Sequence, residues 1–291
     1  MSEPATDLRR AAASMVAAAF SFALMGLLAK LASKTLPHTM VVFLRSALGL
    51  LVLLPWVLQK GPHALRTRHF GGHVLRGVFG MAAMYCFFYC IAHLALAEAL
   101  LLNYSLPLFL PIVERAWLGI RISRAVLPPL LLGFAGLLLI LKPGTGIFEP
   151  VALVGVGAAV FAATAQVGIR KLTRSESVTS IVFYFALISS LLSLGPALWQ
   201  WHSPALELWP ALLGVGVLAT LGQLLMTNAY HHAPAAEVGP FIYTSVVFAG
   251  VLDWLFFSHL PDLYASSGAL LVIVAGVVAL RRAATPVSSE S

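Results

Sequence analysis

Long apolar runs, each closed by a short polar or helix-breaking segment, divide the chain almost from end to end. They fall at about 11–33, 38–59, 73–93, 97–119, 124–141, 151–171, 178–200, 208–230, 236–258 and 263–280. Each is roughly 17–24 residues, the length a helix needs at about 1.5 Å per residue to cross about 30 Å of hydrocarbon. Alternation of period two is absent, which argues against a β-barrel. The separators hold the breakers, as at Pro37-His38, Lys60-Gly61-Pro62, Lys142-Pro143-Gly144 and Leu260-Pro261-Asp262. At 93–97 and 231–236 the apolar run simply continues. Both places are divided because a helix of more than about 40 residues cannot cross one bilayer. The pattern predicts an all-α membrane protein with ten transmembrane helices.

Composition places lipid, not water, around most of the chain. Of 291 residues 60% are hydrophobic and 10% charged, where a soluble domain has roughly 45–50% and 25%. Charge then sets the orientation. With the N-terminus in the cytoplasm, thirteen basic residues face that side: Arg9, Arg10, Lys60, Arg66, Arg68, Arg76, Arg121, Arg124, Arg170, Lys171, Arg174, Arg281 and Arg282. Only Lys30, Lys34 and Lys142 face the other, and Arg45 and Arg115 fall inside spans. The positive-inside rule therefore predicts cytoplasmic N- and C-termini. The net charge of +7 implies no nucleic-acid partner; it is the orientation signal plus contact with anionic lipid. The start imitates a signal peptide, but no clear small-residue cleavage site follows, and a retained first helix is expected. Cys86 and Cys90, four apart in the third span, lack the partners a disulfide framework or zinc site needs.

An internal repeat organises the spans. A shift of 139 puts Glu98 on Glu237, Tyr104 on Tyr243, Phe109 on Phe248 and Glu114 on Asp253. A shift of 141 puts Phe20 on Phe161 and Lys30 on Lys171. The halves, 1–145 and 146–291, then hold five spans each. An odd number inserts the second copy upside down, giving two inverted five-helix repeats with the solute site between them near the midplane.

Particular stretches carry a resemblance. Leu75-Arg76-Gly77, Tyr89 through Ala99 and Tyr104-Ser105-Leu106-Pro107-Leu108-Phe109 resemble the third and fourth helices of EamA-type members of the drug/metabolite transporter superfamily. Asn228 through Glu237 and Tyr243-Thr244-Ser245 resemble their eighth and ninth, and the Arg45 position fits as well. The resemblance implies ten helices in paired repeats and alternating access for small organic solutes, with export of amino acids or related amines, metabolites and drugs favoured. A polytopic helical chain of this kind is expected in a bacterial inner membrane. Members often carry a Gly-Glu pair where the fourth and ninth helices end. Here Ile120 follows Gly119 and His259 follows Ser258, so the role of that acidic pair is not carried over.

Buried charge marks the candidate site, because a charge in the bilayer normally faces the bundle interior. Helical spacing puts Asn103, Pro107, Leu110, Glu114 and Trp117 on one arc of the fourth span, read here as facing the cavity. Glu114 and Asp253 are the proton-coupling candidates; the alternative is a carboxylate paired with a base such as Arg115 or His259. Glu98 and Glu237 sit at helix starts, where an acid stabilises the dipole. Tyr85 and Tyr89, with Met81 and Phe88, form an aromatic side of the third span. Gln166, then Gln223 and Thr227 with Thr220 and Tyr230, offer polar groups, and Tyr243 lies on the ninth span. These could line a solute cavity or simply pack. Arg45 could pair an anionic solute group, or lock to a carboxylate or carbonyls of the other half. Because the proposed cavity faces carry Glu114 and Asp253 and no arginine, a zwitterion or organic cation is expected over a polyanion. Gly133, Gly136, Gly155, Gly157, Gly214 and Gly216 permit close helix approach, and Pro107, Pro111 and Pro240 are expected to kink the fourth and ninth helices.

Enzyme motifs are missing. Gly155-Val156-Gly157 lacks a third glycine, His231-His232 lacks metal-ligand spacing with an acid, and no Gly-x-Ser-x-Gly elbow occurs. The expectation is a secondary transporter without cofactor or metal, acting as monomer or homodimer. A membrane-embedded enzyme, a channel or a structural subunit is the alternative.

Overall fold

The computed structural model describes residues 7–120, 123–258 and 260–283; Arg121 and His259 lie outside them. Among these residues there is no strand. The helices are α1 (Leu8–Ala32), α2 (His38–Lys60), α3 (Phe70–His93), α4 (Leu96–Asn103), α5 (Leu106–Leu118), α6 (Leu127–Leu141), α7 (Val151–Leu172), α8 (Val178–Trp199), α9 (Trp209–His232), α10 (Ala235–Ile242), α11 (Thr244–Phe257) and α12 (Leu263–Ala283). Taken as pairs, α4–α5 and α10–α11 are the fourth and ninth crossings, so the ten predicted spans each have a helical counterpart. Among the described residues nine are long and apolar enough to cross a membrane. The tenth, α6, has 15 residues, roughly 22 Å at 1.5 Å per residue. It begins at Leu127 rather than near 124, with Pro in its first turn, where no N–H is required. The chain is a multi-pass membrane protein. Its outer surface is apolar, with Leu58 and Leu153 each 74% exposed.

The links between helices repeat across the chain. After α3 the chain turns extended at Leu94, and after α9 it does so at Ala233. Each link leads into a helix of 8 residues. Each short helix then breaks at a tyrosine, Tyr104 or Tyr243. The carbonyls freed there are satisfied by nearby hydroxyls: Ser105 donates to Leu102 at 2.6 Å and Thr244 to Phe241 at 2.6 Å. Pro107 explains the first break, because its ring cannot follow the carbonyl of Asn103 in a helix. Pro240 does not explain the second, since it lies inside α10, and Pro111 lies inside an unbroken α5. α5 ends on Gly119 and α11 on Ser258, both left-handed.

Packing joins one half to the other. α1 packs along α9 and α3 along α7, while α2 meets α8 and α6 meets α12. α5 rests on α7 and α10, and α11 on α1. Small residues set the closest approach: a Cβ on Gly136 would stand 2.6 Å from the carbonyl oxygen of Gly268. Gly157 differs from the expectation, because its surroundings are open. At one end of the α6–α12 pair, Lys142 binds Asp262 and holds that exposed carboxyl below its usual range.

Candidate functional site

The broken crossings bring α5 onto the start of α10, and there Glu114 does its work. A helix start carries backbone N–H groups without partners and a partial positive charge. Glu114 Oε1 accepts from Ala235 N at 2.7 Å and Oε2 from Ala236 N at 2.9 Å. The side chain, 1% exposed, spans from one half of the chain to the other. The sequence alternatives for Glu114 were an open cavity face or a partner such as Arg115; the partner observed is backbone. Glu237, in the first turn of α10, lies near enough for the two carboxylates to repel, and Arg170 near enough to attract.

The surroundings of Glu114 are polar yet closed. Tyr230 is fully buried and donates its hydroxyl to Oε1 of Gln166. Arg170 donates from Nη1 to the carbonyls of Tyr230 and His231, each at 2.9 Å. Lys171 stands 5.1 Å from the ring centre of Trp117. On the same arc of α5, Pro107 and Leu110 are buried against Gly239 of α10. The arc thus faces the protein interior, packed on the other half.

Asp253, the acid 139 positions on, has different surroundings. It lies 3.4 Å from Lys30 Nζ, with side chains 40% and 58% exposed. Lys30 also sits over the Phe257 ring at 4.4 Å. At the start of α4 it is Glu98 that accepts from Ala95 N, at 3.1 Å. That group stands one position before Leu96 and Ala97, the equivalents of the two residues Glu114 holds.

A second polar group lies apart from Glu114, where α2, α8 and α9 meet. Arg45, Ser46, Gly49, Phe185, Thr220 and Gln223 line a narrow cavity there. Gln223 Oε1 accepts from Arg76 Nη2 at 2.7 Å, and the Arg76 guanidinium lies 3.4 Å from the Phe185 ring centre. The expectation is of cavity faces without arginine; this cavity is lined by Arg45 and bordered by Arg76 through Gln223 and Phe185. Arg76, among the cytoplasmic charges by sequence, lies within the apolar run at 73–93, and that position is the signal for its burial.

The remaining candidates scatter. Thr227 is fully buried. Tyr243 is buried at the break before α11, against Gly133. Asn103 ends α4, and Tyr85 holds a buried hydroxyl without a partner among the described residues. Tyr89 is 47% exposed and stacks on His93, so it does not join either polar group.

Known proteins resemble this chain along nearly its whole length. The model of the EamA-like transporter family matches residues 9–142 and again 150–281. The pseudopaline exporter CntI of Pseudomonas aeruginosa is 39% identical over 270 residues, covering 92% of this chain and 94% of its own. A riboflavin transporter of Vibrio cholerae is 30% identical over 265 residues, covering 89% of each. An S-adenosylmethionine uptake transporter of Rickettsia bellii is 28% identical, covering 81% of each. A solved crystal structure superposes with a TM-score of 0.79 at 20% identity, over 94% of this chain and 99% of that one, a likeness of fold.

Proposed function

The chain belongs to the EamA-like transporter family, and from that premise we propose that it is a secondary carrier opening one solute cavity alternately to the two sides of a bacterial inner membrane. It is a membrane transporter and not an enzyme. The two halves, 1–145 and 146–291, act as inverted five-helix repeats. That reading draws support from the family model matching twice, from the matching breaks at Tyr104 and Tyr243, and from packing pairs that exchange, α1 with α9 against α7 with α3. Charge orients both termini to the cytoplasm.

One observation carries the carrier reading: equivalent acids in the two halves are in opposite states. Glu114 is buried and clamps the start of α10, whereas Asp253 is partly exposed and pairs with Lys30. A symmetric structure at rest would treat them alike. A carrier caught with one end closed would hold one clamp made and the other released. Protonation couples to this directly. A carboxylate accepts at both oxygens, but a protonated acid carries a donor that faces an N–H and cannot satisfy it. Protonating Glu114 loosens α10 and opens that end; the same event at Asp253 acts at the other.

Export of small organic metabolites, amino acids among them, is the direction and class we favour, in line with the exporter relative. The test is counterflow of labelled solute in proteoliposomes. Saturable exchange whose pH dependence is lost in Glu114→Gln and Asp253→Asn supports the reading. Product formation without transport, or an unchanged pH dependence in both variants, sinks it.

A further inference from the structure

Two buried arginines meet different fates. Arg170 is 4% exposed and reaches two carbonyls in the last turn of α9, groups that otherwise lack partners and attract a cation. It is a structural lock. Arg76 is 3% exposed, yet a single neutral side chain, Gln223, accepts from it. Its Nε and Nη1 are buried without a hydrogen-bond partner among the described residues. Among the described residues the Nε of Arg45 is likewise buried and unpartnered, and its Nη1 reaches only the Met84 sulfur at 4.0 Å. Among the described residues no ion pair reaches either guanidinium. The two positive charges also repel each other.

A guanidinium offers five N–H donors in a rigid planar fork. Buried ones are normally paired, because an uncompensated charge at low dielectric is strongly unfavourable. Arg45 lines the cavity and Arg76 borders it through Gln223 and Phe185, while Ser46 and Thr220, which share it, already donate to their own helices. Two such forks side by side suit an anionic, oxygen-bearing partner.

We propose that Arg45 and Arg76 bind a carboxylate of the transported solute, so that the cargo is a carboxylate-bearing, anionic metabolite rather than an organic cation. Arg45 meets it from α2 and Arg76 from α3, with the Gln223 side-chain amide, whose oxygen serves Arg76, free to donate to it. A cationic amine would meet two like charges there, an arrangement that rejects wrong partners. The cavity is too narrow in this conformation for such a solute, so its entry rests on the alternating opening proposed above.

The test is a thermal-shift titration of the detergent-purified full chain with succinate, citrate, inorganic phosphate, putrescine and choline, beside counterflow of the same compounds. Succinate or citrate is expected to stabilise the wild type. Arg45→Gln and Arg76→Gln should each weaken that binding about thirtyfold or more. Should the Gln variants fail to fold, Arg45→Lys and Arg76→Lys keep the charge but lose the fork and should bind more weakly than wild type. Stabilisation by putrescine, choline or phosphate but not by carboxylates overturns the proposal. So does a carboxylate response unchanged in every folded variant. Carboxylate binding without counterflow would sink the carrier reading and leave this site standing. Saturable counterflow of an amine, unchanged in the arginine variants, would do the reverse.

Discussion

Glu114 on α5 accepts the backbone N–H of Ala235, the first residue of α10, across 121 positions of sequence. With the second bond to Ala236 N, one carboxylate holds the end of one crossing to the beginning of another. Charge-assisted hydrogen bonds of this kind contribute about 1.5–3 kcal/mol each. Glu114→Gln should therefore speed hydrogen exchange at the Ala235 and Ala236 amides by about tenfold or more, read by mass spectrometry in lipid nanodiscs. Unchanged protection at those amides would show that the clamp is not what closes this end.

Asp253 should separate stability from function. Its pair with Lys30 is exposed on both sides, and such pairs contribute about 0–1 kcal/mol. Asp253→Asn is expected to leave the detergent melting temperature nearly unchanged while lowering counterflow strongly. Full counterflow in that variant would reduce Asp253 to a surface residue.

The membrane crossings were legible because lipid imposes a length. Breakers such as Pro37, Gly61 and Pro143 closed each apolar run, and even the divisions at 93–97 and 231–236 fall where Leu94 and Ala233 turn extended. Glu114 was legible as a buried acid, but its partner was not. Backbone N–H groups of a distant helix start leave no trace in residue type. Tyr89 shows a second limit. Helical spacing tells which residues share a face, but in a bilayer both faces are apolar, so which one meets lipid stays hidden. Arg76 was visible within an apolar run, yet only the fold brings it to Gln223 and Phe185.

The equivalent helix ends make a paired prediction. Ser258 caps α11 at φ 58°, where Gly119 caps α5 at φ 70°. A side chain in that region costs about 1–2 kcal/mol relative to glycine. Ser258→Gly should raise the melting temperature and Gly119→Ser lower it, measured by nanoscale fluorimetry in one detergent. Shifts in the same direction would contradict the cap assignment.

The α6–α12 seam has no room for a methyl group. Gly136→Ala would drive its Cβ toward the Gly268 carbonyl and should destabilise by about 1–3 kcal/mol. Gly157→Ala, with open space around it, should instead stabilise by about 0.5–1 kcal/mol through helix propensity. Thermal unfolding of both variants checks the pair.

Opening at one end with closing at the other is the central claim, and paired distances test it most directly. Spin labels at Arg115 and His231 report the Glu114 end, and labels at Ala92 and Trp254 the equivalent positions at the Asp253 end; all four residues are exposed. The background should lack the free thiols of Cys86 and Cys90. Introducing Glu114→Gln in nanodiscs should lengthen the first distance and shorten the second together. Lengthening of the first with the second unmoved, or no change in either, would contradict alternating access.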